Sequence, residues 1–140
     1  MIKSFPITLV LSLAAACSSL PEDASGLTGT SWQLVKFQGG DDAVLRPDER
    51  GKYTFEFGED GILSVRIDCN RARGSWKSEG PRKLEFGPMA ITRAQCPPDS
   101  LHDRIVKHLP YMVSYVIKDG HLFLSLIADG GIYEFEPAGR

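Results

Sequence analysis

Two cysteines, Cys69 and Cys96, constrain this chain more than any other feature. They bound a stretch that runs from Asp68-Cys69-Asn70-Arg71, through Gly74-Ser75-Trp76, to Thr92-Arg93-Ala94-Gln95-Cys96-Pro97. If the thiols pair, the residues between them form one closed loop and the second half of the chain is stapled to the first. Pairing depends on compartment, because disulfides persist in exported proteins and are rare in the reducing cytosol. The N-terminus therefore decides how these cysteines are read.

Lys3, an apolar run from Phe5 to Leu13, and Ala14-Ala15-Ala16 precede Cys17. A positive, then apolar, then small-residue order is the layout of a secretory signal peptide. The run falls well short of the ~20 apolar residues that a permanent membrane helix needs, and no later segment comes closer. Leu13-Ala14-Ala15-Ala16-Cys17 resembles the lipobox of bacterial lipoproteins, whose cysteine receives diacylglycerol on its thiol. Residues 1–16 are then a lipoprotein signal peptide and Cys17 the lipidation site. The alternative is an ordinary signal peptide cut after Ala16, which leaves Cys17 as an odd thiol without a role. Ser18 after the cysteine resembles the default signal for the outer membrane. The expected address is the bacterial cell envelope, lipid-anchored and facing the periplasm.

In that compartment Cys69 and Cys96 are expected to form a structural disulfide. A thioredoxin-like redox pair would be close in sequence, and no histidine stands at zinc-finger spacing from either cysteine. With 140 residues the chain has room for one domain. Its net charge of -2, with both signs interspersed, offers no field to recruit nucleic acid.

Residues 17–28, rich in Ser, Pro, Glu, Asp and Gly, read as a flexible tether, and 29–140 as the folded domain. Short apolar runs separated by turn residues then indicate an antiparallel β domain. Ser31 to Phe37 is the opening strand and ends at Gly39-Gly40, followed by a solvated polar loop. Tyr53, Phe55 and Phe57 alternate with polar residues, Asp60-Gly61 turns the chain, and Leu63, Val65 and Ile67 alternate in return, predicting a hairpin. Arg73 to Lys77 and Lys83 to Phe86 are further strands, with Gly87-Pro88 expected to stop the second before Met89 to Arg93 leads to Cys96. Ser100-Leu101-His102-Asp103 has the form of a capping box, and Leu101, Ile105, Val106 and Leu109 fall on one helical face that Pro110 ends. Tyr111 to Lys118, His121 to Ala128 and Gly131 to Glu136 complete a C-terminal meander. The expected fold is mainly β (α+β): a curved antiparallel sheet or incomplete β-barrel of about eight strands with one short helix plugging an open end.

Thr30-Ser31-Trp32-Gln33-Leu34, Cys69-Asn70-Arg71 with Gly74 and Trp76, then Thr92-Arg93 and Cys96-Pro97, together resemble the META domain, the HslJ-like family of small bacterial envelope proteins. The resemblance runs from about Gly29 to Glu136. Asp68 departs from the family's usual glycine, which bears on the turn before Cys69, and Trp76 stands where tyrosine is common. The resemblance implies a compact, largely β domain with one helix, often on a lipoprotein, linked to tolerance of stress and of some antibiotics. It implies no catalytic reaction.

No catalytic constellation and no cofactor motif stand out. Cys96, His102 and Asp103 hold the atoms of a thiol protease, but a disulfide would consume the nucleophile and Asp103 reads as a helix cap. His102 and His108 lie six positions apart, not the four that metal binding from one helical face wants, and with His121 they read as surface residues; no metal site is expected. Asn70 reads as fixing a local turn through its short amide. Arg66, Arg71, Arg73 and Lys77 form a basic concentration that would suit an anionic partner, yet Asp60, Asp68 and Glu79 are interspersed, and a mixed solvated face is the plainer reading. Inward positions including Trp32, Phe55, Phe57, Leu63, Val65, Phe86, Leu122 and Leu124 either fill the interior or line a slot for an acyl chain; bulky aromatics favour the filled core. The expected role is a non-enzymatic structural or protein-interaction domain in envelope maintenance or stress tolerance. An envelope protein is the expected partner and an apolar ligand the alternative.

Overall fold

The computed structural model describes residues 26–139 together with Ile2. The signal peptide, Cys17 and all of the tether before Gly26 lie outside the described residues. Nine strands and one α-helix follow: β1 (Thr30–Gly39), β2 (Val44–Leu45), β3 (Tyr53–Phe57), β4 (Ile62–Ile67), β5 (Asn70–Lys77), β6 (Glu85–Ile91), α1 (His102–His108), β7 (Met112–Lys118), β8 (His121–Leu126) and β9 (Gly131–Pro137). Eight of the strands form one curled antiparallel sheet in the order β6-β5-β4-β3-β1-β9-β8-β7, a half-barrel, and β2 pairs with β1 alone.

Two meanders, β3 to β6 and β7 to β9, therefore flank β1. The first half of β1 pairs with β3, Trp32 opposite Phe55, while most of its length pairs with β9, Leu34 opposite Phe135 and Phe37 opposite Tyr133. Strict alternation in β3, β4 and β8 sends one set of side chains inward. Phe55, Phe57, Leu63, Leu122, Leu124, Tyr133 and Phe135 are all buried there. Their rings interlock, Phe55 against Phe135 at 4.9 Å and Phe57 edge-on to Trp76 at 5.2 Å between centroids. These buried side chains make up one continuous core.

Leu27 is fully buried in this core, so the folded domain includes it, inside the segment read as tether. At the outer edges the sheet nearly meets itself. Leu84 N–H donates to Val113 O and Tyr115 N–H donates to Arg82 O, each at 3.0 Å, around an isolated Lys83–Ser114 bridge. Beyond it the edges part. Ile105 and Leu109 of the α1 segment bury themselves in the open end, with Leu101 and Val106 packed beside them.

Several local expectations change. Gly87-Pro88 does not stop a strand; β6 runs through it. Phe86 and Met89 pair with Trp76 and Gly74, so Gly87 and Pro88 together face the single residue Ser75 in a β-bulge. An edge strand tolerates the missing proline N–H there. A side chain on Gly87 would collide with Ser75 Oγ, and one on Gly74 would meet Pro88 O at 2.7 Å. β5 begins at Asn70, three residues before the expected start. The capping box does not form: Leu101 is the N-cap residue without a side-chain bond, Ser100 Oγ accepts from His102 N–H, and Asp103 turns to His102 instead. Phe86 is half-buried at the seam, not fully inward.

His108 and His121 are half-buried, each with a partner, and not simple surface residues. His108 Nδ1 and the buried Tyr133 hydroxyl share a hydrogen bond at 2.7 Å, which ties the end of α1 to β9. Burial, with Arg104 and Lys107 nearby, lowers the His108 pKa below the ordinary histidine value, and burial pushes the Tyr133 phenol well up. A depressed folded-state pKa means the unfolded chain binds the proton more readily. That contribution is present above the unfolded pKa of about 6.5 and is lost as pH falls below it. Tm is expected to drop between pH 7.5 and 5.5, where most carboxylates remain ionised, and the drop should shrink in His108→Gln. An equal pH dependence in the variant would show that His108 is not its source.

Candidate functional site

The polar centre of the domain lies where the β4–β5 turn meets the segment after β6. Asp68 turns the chain with a left-handed φ of 57°. Aspartate tolerates that region, so the turn forms without glycine. Cys69 and Cys96 are joined by a disulfide with Cα atoms 5.5 Å apart. Beside it Asn70, 1% exposed, is the buried polar residue among the described core.

The Asn70 side chain is bonded throughout. Its Nδ2 donates to Ala94 O at 2.7 Å and lies 3.1 Å from His102 Nε2. Its Oδ1 accepts from Ala94 N–H at 2.7 Å and from the Thr92 hydroxyl at 2.8 Å. Thr92 Oγ1 in turn accepts from Arg71 N–H at 2.9 Å. Asn70 thus fixes backbone, but backbone 24 residues away and not its own turn. The amide reads both sides of Ala94 as a strand partner would, which holds the chain in place between β6 and Cys96.

His102 is built into the same network. With Nδ1–H donating to Asp103 Oδ1 at 2.9 Å, Nε2 is left to accept from Asn70. Its basic lone pair is engaged and Cys96 is consumed by the disulfide, so the Cys96–His102–Asp103 set is not an activated nucleophile. Trp32, Gly74, Trp76 and Pro97 of the motif are used within the fold. Trp32 Nε1–H donates to Thr30 Oγ1 at 2.7 Å, and Trp76 Nε1–H donates to Gly58 O at 3.1 Å. Gly74 admits the close approach of β6, and Pro97 O accepts from Ser100 N–H at 3.0 Å. Arg71 and Arg93 are exposed.

Two of the grooves on the exterior differ sharply in chemistry. An apolar one of about 400 Å³ lies at the seam, lined by Phe86, Met89, Ile91, Val106, Leu109 and Pro110 among others. A second, of about 310 Å³, crosses the outer face of β3 to β6 and carries Arg66, Arg71 and Arg73. Lys77, grouped with these arginines in sequence, instead pairs with Glu79 and Glu85. The sequence reading missed the neutral side chains of this trough, Thr54, Ser64 and Ala90, although their period-two positions beside the arginines marked them as outward. Among the described residues no cluster of three His, Cys, Asp or Glu is placed to hold a metal, and no helix is long and apolar enough to cross a membrane.

The sequence pattern of the META domain matches residues 25–139. The chain belongs to the META domain family. The staple, the Asn70 network and all nine strands lie within the matched residues. Solved structures share the fold. An NMR structure of a protein from Burkholderia xenovorans aligns with a TM-score of 0.70 at 21% identity, covering 99% of this chain and 100% of that one. A crystal structure of a DUF4847 family protein from Bacteroides vulgatus aligns at 0.61 and 14% identity, covering 81% of this META domain chain and 96% of the other. No curated protein matches by sequence.

Proposed function

We propose that this META domain protein is a non-enzymatic lipoprotein of the bacterial envelope, anchored through Cys17, whose domain serves a structural or protein-interaction role in envelope maintenance or stress tolerance. The observation that carries this reading is how the family motif is used. Apart from the exposed Arg71 and Arg93, its polar and reactive groups are bonded within the fold: the cysteines in a disulfide, the Asn70 amide with Ala94, Thr92 and His102, and the tryptophan N–H groups with nearby oxygens. Groups spent on folding are not free to act on a substrate, which leaves the outer surface as the place where function lies. The apolar-ligand alternative would use the seam groove, since the inward aromatic side chains pack against one another.

Cys17→Ser tests the anchor: it is expected to move the protein from the membrane to the soluble fraction and to abolish lipid labelling. Unchanged partitioning into detergent removes the lipoprotein reading. Crosslinking in intact cells should then capture a defined envelope protein with the wild type. Stoichiometric co-purified lipid on native mass spectrometry, with no crosslinked protein, would instead favour the seam groove as a lipid site.

A further inference from the structure

We infer that the outer face of β3 to β6 is a binding site for a phosphate group, formed by Arg66, Arg71 and Arg73. This goes beyond the interaction role above and holds whether or not Cys17 carries lipid. The pairing register sets out the face as two rows. Thr54, Arg66 and Arg71 are successive cross-strand partners, with Thr92 bonded beside Arg71; Glu56, Ser64, Arg73 and Ala90 are partners in the next row. Arg66 and Arg71 are thus directly opposite each other, and Arg73 is two residues along β5 on the same face.

Like charges placed directly opposite on a sheet are destabilising. The acidic residues interspersed in the sequence do not relieve this. Asp60 Oδ1 caps its own turn at Ile62 N–H, Glu79 pairs with Lys77, and Asp68 sits in the turn, where its charge acts on Lys52. Glu56 stands at a corner of the face, with Ser64 between it and Arg73. Among the described residues no ion pair engages Arg66, Arg71 or Arg73. Arg66 is steadied by bonds to Asp68 O and Gly51 O at 3.3 and 3.4 Å. Three guanidinium groups therefore share this trough with the one carboxylate of Glu56, a local positive excess in a chain of net charge -2 that calls for an anion.

The shape of the trough selects its chemistry. Its floor of short side chains, Thr54, Ser64, Ala90 and Thr92, leaves room between the arginines; three of these carry hydroxyls, and that of Thr92 is bonded to Asn70. Guanidinium forks match the oxygens of phosphate, and a monoester carrying nearly two charges at neutral pH offsets the arginine repulsion better than a carboxylate does. The trough is open and shallow, so it takes a terminal phosphate whose remaining body stays outside. That phosphate comes either from a lipid headgroup or from a small soluble phosphate.

The test is a titration of the full-length protein in neutral detergent, followed by ¹⁵N NMR, with inorganic phosphate in one arm and dihexanoyl phosphatidic acid in the other. Saturable shifts of the Ser64, Arg66, Arg71 and Arg73 amides are expected. Tighter binding of the lipid assigns a headgroup as the source, and equal or tighter binding of inorganic phosphate assigns a soluble one. Arg71→Gln with Arg73→Gln should weaken binding by at least about ten-fold, given the worth of two charge-assisted hydrogen bonds. Glu56→Gln should tighten it. The absence of saturable shifts in both arms overturns the inference, as does unchanged affinity in the double variant. If that variant fails to fold, Glu56→Gln decides: weaker or unaltered binding is the contrary result.

Discussion

Replacing Asn70 by alanine is expected to lower Tm by about 10–20 °C, the effect of roughly 3–5 kcal/mol in a domain of this size. The magnitude follows from what is left behind. Alanine removes four bonds, to both backbone groups of Ala94, to Thr92 and to His102, from a side chain only 1% exposed. Each group that stays buried without its partner costs about 1–3 kcal/mol, and water reaching the exposed Ala94 segment recovers part of it. Asn70→Asp keeps the acceptor oxygen but aims a second one at Ala94 O, so it should also destabilise. Thermal and urea unfolding under oxidising conditions measure both. A loss under about 1 kcal/mol for Asn70→Ala would mean that the Ala94 segment is held by something else.

Removing the disulfide should cost about as much, by a different route. Cys69→Ser with Cys96→Ser opens a loop of sequence separation 27, for which chain entropy predicts roughly 3–4 kcal/mol. Against a total stability of about 5–15 kcal/mol, the variant remains folded at low temperature with a much reduced urea midpoint. The two effects should not add. The disulfide and the Asn70 amide hold the same two segments together, so once either is gone the segments separate more easily and the other contributes less. A double-mutant cycle is expected to give a coupling of at least about 1 kcal/mol. Strict additivity would separate the staple from the polar network.

How legible the chain was depended on the range of the interaction. The β3–β4 hairpin, the C-terminal meander and the buried face of α1 stood in the sequence because each rests on a period or a turn within a few residues. Gly87-Pro88 was misread for the same reason. Read locally the pair is a breaker, and only the neighbouring strand, with Ser75 facing both residues, makes it a bulge. Ser100 and Asp103 matched a capping pattern, but His102 lay within reach of both and took their bonds.

By itself the sequence determined the mainly β architecture, the pairing of Cys69 with Cys96 and membership of the META family, since these rest on alternation, on the rarity of cysteine and on joint motif spacing. Tertiary structure alone decided that β1 lies between β3 and β9, that Asn70 clasps Ala94, and that Arg66, Arg71 and Arg73 share one face while Asp68, which stands between them in the chain, is held in the turn. Those outcomes join residues far apart in sequence, where local preference is silent. They are chosen by which strand edges satisfy each other's backbone groups while the aromatic face is buried.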